Sequence, residues 1–114
     1  MESLVYNEAY AFGCRMVKAY EYLTTEKHEF EISKQLKRSG TSISANCAEA
    51  HYAQSRADFK SKMSIALKEA NETKNWINML HDTGYFDDAL YQSLSNQLLS
   101  IILKLARIVK NTTL

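Results

Sequence analysis

Three histidines, two cysteines and thirteen carboxylates are the side chains of this 114-residue chain best suited to hold a metal or move a proton. Their spacing leaves little of that chemistry open. A two-iron site in a helical bundle needs glutamates on all four helices and E-x-x-H on two of them, and E-x-x-H does not occur. His28, His51 and His81 fall in a connection, at the end of a second helix and at the end of a third. No two of them have the i, i+4 spacing of helical zinc ligands. Cys14 and Cys47 form no C-x-x-C, and there is no C-x-x-C-H, no G-x-x-x-x-G-K-[ST], no G-x-G-x-x-G and no G-x-S-x-G. Serine, cysteine and histidine never share a spacing that pairs a nucleophile with a base. The residues therefore predict no enzyme, no cofactor, no metal site and no small-molecule substrate.

What remains is polar and electrostatic. Arg38, Ser42, Ala45 and Glu49 recur at helical spacing with Asn46 beside them, and Ile65, Glu69, Glu72 and Trp76 do the same further along. Such faces are either solvated or join a polar network at a subunit contact, where buried charge fixes register more than it adds stability. Trp76 packs at the edge of a core or anchors an interface, where tryptophan is enriched among the costly residues. Two basic groups, Lys34, Lys37 and Arg38 and then Lys104, Arg107 and Lys110, space their charges along helical faces in a way that suits phosphates. No base-reading motif accompanies them.

The net charge of +1 hides a pattern. Residues 1–31 carry three basic and six acidic groups, 32–62 six and two, 63–88 two and five, and 89–114 three and none. In an antiparallel up-and-down bundle each helix lies beside its sequence neighbours, so this alternation sets unlike charges side by side. Complementarity within the fold is the plainer explanation of the basic helices, and a nucleic-acid surface is the other.

The elements that must position these groups are helices. There is no proline, and Gly13, Gly40 and Gly84 are far apart, which disfavours strand-rich folds. Val5, Ala9, Phe12, Met16, Ala19 and Leu23 step by four and three, as do Phe59, Met63, Ala66, Ala70, Thr73, Ile77 and Leu80. Ile32, Leu36, Ser39, Ile43, Cys47 and Ala50 mark the apolar side of the second helix, and Leu94, Leu98, Ile101, Leu105 and Ile108 that of the fourth. Thr24–His28 reads as a polar connection. Ser55 with Asp58 reads as an N-cap in the manner of a capping box, Gly84 as a left-handed helix stop, and Asp87 as the cap of the last helix. The expectation is one domain over residues 1–114, an all-α, antiparallel up-and-down, left-handed four-helix bundle.

Two features point outward from a single bundle. Tyr6, Tyr10, Gly13, Val17 and Tyr20 form a second stripe on the first helix, more than one interior needs, which suggests another subunit. Nine of the twelve residues from Ser39 to Ala50 are small. Such a helix has poor intrinsic propensity and must be held by packing, so it reads as the crowded centre of an assembly.

Gln35–Asn46 (QLKRSGTSISAN), Ala48-Glu49, Ser55 with Asp58-Phe59, Ile65–Ala70 (IALKEA), Glu72-Thr73 with Trp76, and Gly84-Tyr85 resemble the bacterial four-helix bundle family of 23S rRNA intervening sequences, also labelled S23 ribosomal protein. The resemblance implies a left-handed bundle related to the accessory variability determinant of diversity-generating retroelements, which forms pentameric rings and works with a reverse transcriptase and nucleic acid. It implies polar contacts for Arg38, Asn46, Glu49 and Glu72. The chain departs from the commonest family pattern at Ser44, Cys47 and Ala50, each a small residue.

The function expected is a non-enzymatic homo-oligomeric scaffold, a pentamer, for structured RNA or a nucleic-acid enzyme. Its interface candidates are the polar residues Arg38, Asn46, Glu49, Glu69 and Glu72 and the apolar residues Tyr6, Tyr10, Val17, Tyr20 and Trp76. The alternatives are a small-ligand or metal carrier using the bundle interior and a plain protein-interaction module. The start Met1-Glu2-Ser3 lacks the basic segment of a signal peptide. The apolar run Leu98–Leu105 is far short of the ~20 residues of a spanning helix, and two thiols without disulfide context read as reduced. A cytoplasmic protein without membrane contact follows.

Overall fold

The three-four rhythm of apolar residues closes into four helices in the computed structural model, which describes residues 4–114. They are α1 (Leu4–Thr25), α2 (Ile32–His51), α3 (Arg56–Asp82) and α4 (Asp88–Asn111). Each packs on its sequence neighbours and α1 returns to α4, so the chain runs up and down around a square 45 × 20 × 19 Å overall. The fold is an all-α four-helix bundle. Residues 1–3 of the expected 1–114 domain lie outside the described residues.

The core is the set of stripes read from spacing. Phe12, Met16, Leu23, Leu36, Ile43, Ile77, Leu80, Leu98, Ile101 and Leu105 are buried, and Thr73 and Ser39 are buried among them. The Ser39 and Thr73 hydroxyls lie 2.8 Å apart across the α2–α3 seam, and Thr73 Oγ1 also reaches the Glu69 carbonyl at 2.7 Å. Ile32, Phe59 and Ile108 sit at the ends of their stripes and are only partly buried.

Helix ends follow from local chemistry. Ser55 Oγ accepts from the Asp58 N–H at 3.0 Å, and Asp58 takes the Gln54 N–H at 3.2 Å. Asp87 accepts from the Leu90 N–H at 2.8 Å. Gly84 adopts φ +89°, and the Tyr85 and Phe86 N–H groups close back onto the Leu80 carbonyl at 2.9 and 3.2 Å, ending α3. The start of α2 differs from the expected plain connection. Glu29, 8% exposed, caps it with its carboxylate, accepting from the N–H groups of Ile32 (2.9 Å) and Ser33 (2.6 Å), while Ser33 Oγ donates to the Glu29 carbonyl at 2.8 Å. This reverses the usual polarity of a capping box, in which the hydroxyl precedes the carboxylate.

The small-residue stretch admits a close neighbour within the chain. A Cβ on Gly40 would lie 2.3 Å from Met16 Cγ, and a Cβ on Gly13 would meet Gly40, Thr41 and Ser44 at ordinary contact distance. At Gly13 and Gly40 the close approach is therefore between α1 and α2 of one chain.

Candidate functional site

The polar residues singled out in the sequence come together on the outer edge of the α2–α3 seam. Arg38 sits nearly two turns into α2 on its exposed flank, and Glu69, Glu72 and Trp76 line the facing flank of α3 because residues three and four apart share a helix face. The Arg38 guanidinium pairs with Glu72 and lies 3.4 Å from Glu69, and its Nε donates to Gln35 at 3.1 Å. Glu72 in turn accepts from the Trp76 indole N–H at 3.1 Å. Arg38 retains 47% side-chain exposure, so this clamp is half-solvated. Within the chain it joins α2 to α3 through Glu69 and Glu72. Asn46 donates to the Ser42 carbonyl at 2.8 Å, and Glu49 pairs with Lys62 at 3.1 Å, again across α2 and α3.

The second stripe of α1 divides. Gly13 is buried against α2, and Tyr20 is half-buried with Lys37 Nζ 3.9 Å above its ring. Tyr6 is half-buried with its ring 6.2 Å from that of Tyr10. Tyr10 and Val17 remain exposed, at 58% and 43%. The basic groups divide as well. Lys37 is held over Tyr20 and Lys104 pairs with Glu8 at 2.8 Å, bridged by Ser100, whereas Lys34, Arg107 and Lys110 are exposed. The Lys104 hydrogen bond holds the Glu8 carboxyl below its ordinary range against the opposing effect of burial. Charge complementarity within the fold thus occupies part of each predicted phosphate surface.

The core offers little to a ligand. Ser39 and Thr73, the polar groups on the stripes, satisfy one another, and burial pushes the Cys47 thiol up to about 11, keeping it protonated. No group of three or more His, Cys, Asp or Glu suited to a metal ion occurs among the described residues. No described helix is long and apolar enough to cross a membrane.

Two surfaces escaped the sequence reading. Leu99 and Leu103 of α4 are 50% and 57% exposed, beside a groove of about 190 Å³ floored by Ile77, Leu98 and Ile102. The apolar run Leu98–Leu105 carries more leucine and isoleucine than one stripe can bury, which was the available signal. Tyr52, in the α2–α3 connection, is 81% exposed, and only its position next to a helix end hinted at that.

The family model of the 23S rRNA-intervening sequence protein matches residues 1–107. A solved structure of a protein with unknown function from the S23 ribosomal protein family of Bacteroides thetaiotaomicron is 46% identical, covers 95% of this chain and 100% of its own, and superposes with a TM-score of 0.93. No curated protein matches. With bundle, capped third helix and small-residue α2 all in register, the chain belongs to the 23S rRNA-intervening sequence protein family.

Proposed function

We propose that this chain is a non-enzymatic scaffold that assembles with copies of itself, as a ring of five, and presents a surface to structured RNA or to a nucleic-acid enzyme. The observation that carries this reading is apolar surface left outside a core that is already closed. Tyr10 and Val17 lie on the flank of α1 nearest α2, since Gly13 and Tyr20 of the same flank pack on α2. Leu99 and Leu103 lie on the flank of α4 nearest α3, beside Tyr91, whose hydroxyl donates to Asn78 of α3 at 2.9 Å. In a square bundle those flanks belong to opposite faces. A contact that joins two different patches is heterologous and forms a ring when its rotation closes.

Light scattering of the purified protein at micromolar concentration tests the assembly. The expected mass is that of five 13.1 kDa chains, and a clean monomer refutes it. Leu103→Glu should dissociate the assembly with its helical circular dichroism intact, because the side chain it replaces is 57% exposed. Binding of a structured RNA across a salt series tests the second half, and absence of affinity at low salt confines the role to protein contacts.

A further inference from the structure

The charge of the bundle is segregated along its axis. The end bearing the α1–α2 and α3–α4 connections carries exposed Glu26, Glu31, Asp82, Asp87 and Asp88 against the exposed Lys27. At the opposite end, which holds the α2–α3 connection and the last turn of α4, each described acid already has a local partner. Glu49 takes Lys62, Asp58 takes the Gln54 N–H, and Glu8 takes Lys104 and Ser100. Arg56, Arg107 and Lys110 are exposed there and pair with no acid among the described residues, and Lys60 is half-buried beside them. The α3–α4 register is set by His81 against Asp88 (2.7 Å) and Asn78 against Tyr91 (2.9 Å). Carried down the antiparallel pair, it brings Lys60 level with Lys110.

Tyr52 stands at this same end. Its backbone is fixed as the C-cap of α2, its N–H bonding the Glu49 carbonyl at 3.1 Å, and its ring meets His51 edge-on at 4.6 Å between centroids. At 81% exposure it is the most open aromatic side chain of the described residues, and Arg56 follows it by four positions. Tyr52 lines a shallow pocket with Glu49, Asp58 and Lys62, whose two acids are engaged by Lys62 and the Gln54 N–H. An exposed aromatic face at a bundle end whose other cations have no acid partner is an arrangement that takes an unpaired base by stacking while the cations take its phosphates.

We infer that the α2–α3 end of the bundle is a binding site for single-stranded RNA, with Tyr52 stacking on a base and Arg56, Lys60 and Lys110 contacting the backbone. This rests on the RNA half of the function proposed above, with the unpaired loops of a structured RNA as the part that is bound, and moves its site away from Lys34 and Lys37, which sit near the acidic end.

The test is fluorescence anisotropy with a short labelled oligouridylate and the full chain, from low salt upward, with a blunt RNA duplex as a second probe. The wild type should bind the single strand more tightly than the duplex. Tyr52→Ala should weaken single-strand binding about tenfold with its salt slope unchanged, and Tyr52→Phe should bind like wild type, since stacking uses the ring. Arg56→Gln with Lys110→Gln should flatten the salt slope by about 1.4, at ~0.7 for each phosphate contact on a single strand. Lys34→Gln with Lys37→Gln should leave both unchanged. If the wild type binds and Tyr52→Ala binds equally well, or if the slope follows Lys34 and Lys37 instead, this site is wrong and the RNA reading stands. If the wild type binds neither probe at low salt, site and RNA reading fall together, while the scattering mass decides self-association separately.

Discussion

Gly40→Ala should destabilise this protein, although alanine is the better helix former. In a helix interior the exchange favours alanine by about 1 kcal/mol. Against that, the new methyl would lie 2.3 Å from Met16 Cγ, 2.8 Å from its sulfur and 3.1 Å from its Cβ. Met16 is fully buried, so its side chain has no open space to turn into and α1 must shift from α2. Overpacking of this kind costs about 1–3 kcal/mol. The involvement of Met16 Cβ, which moves only with its backbone, puts the case in the upper half of that range. The net loss is then about 1–2 kcal/mol, a fall in Tm of roughly 4–8 °C at this chain length. Urea unfolding followed by helical circular dichroism measures it as a lower midpoint with unchanged slope. The decisive step is a double-mutant cycle. Met16→Ala alone costs about 2–5 kcal/mol, but in that background the Cγ and sulfur contacts are gone, and Gly40→Ala should become neutral or stabilising by up to about 1 kcal/mol. A Gly40→Ala variant as stable as the wild type, or equally harmful in both backgrounds, would show that the α1–α2 approach is not what requires glycine.

Glu29→Ala strips the N-terminal donors of α2 of their acceptor and should cost about 1–2 kcal/mol, with Glu29→Gln intermediate, both read from thermal unfolding; an unchanged Tm refutes the cap. Thr73→Val leaves the buried Ser39 hydroxyl with only the Leu36 carbonyl at 3.5 Å and should cost about 1–3 kcal/mol. Adding Ser39→Ala should then cost less than the sum of the two single changes, as urea midpoints will show. Glu8 titrates below its ordinary 4.5 in the folded chain, so its pairing with Lys104 adds stability above that pH. The contribution fades as pH falls below 4.5 through the depressed folded value. The stability difference between wild type and Glu8→Gln should therefore be present at neutral pH and shrink in acid, and a difference that grows in acid would contradict the pairing.

Periodicity carried most of the fold, because a stripe such as Val5, Ala9, Phe12, Met16 needs only a partner of the same kind to be buried. The caps at Ser55 and Asp87 and the stop at Gly84 were legible for a related reason, since each acts within a few residues of itself. Glu29 was not, because its carboxylate precedes the hydroxyl it cooperates with, and Glu29–Phe30–Glu31 reads as an ordinary charged connection until the backbone turns at His28, φ +55°. Arg38, Glu69, Glu72 and Trp76 were legible as faces, but spacing within one helix cannot state which helix a face meets. That Arg38 of α2 meets Glu69 and Glu72 of α3 came from the tertiary register alone.

The same limit governs the small residues, and it changes where an assembly must be sought. Small side chains permit close approach without saying to what, and here Gly13, Gly40 and Ser39 are consumed inside the chain by α1 and α3. Surface used up in this way cannot also drive association. The contact proposed between copies draws instead on apolar groups that the core leaves wet, among them Tyr10 and Val17 on one face and Leu99 and Leu103 on the other. If copies associate through those two flanks, the basic end with Tyr52 lies on neither of them. A ring built head to tail around one axis would then repeat that end on a single side, and several weak single-strand contacts would act together as one stronger site.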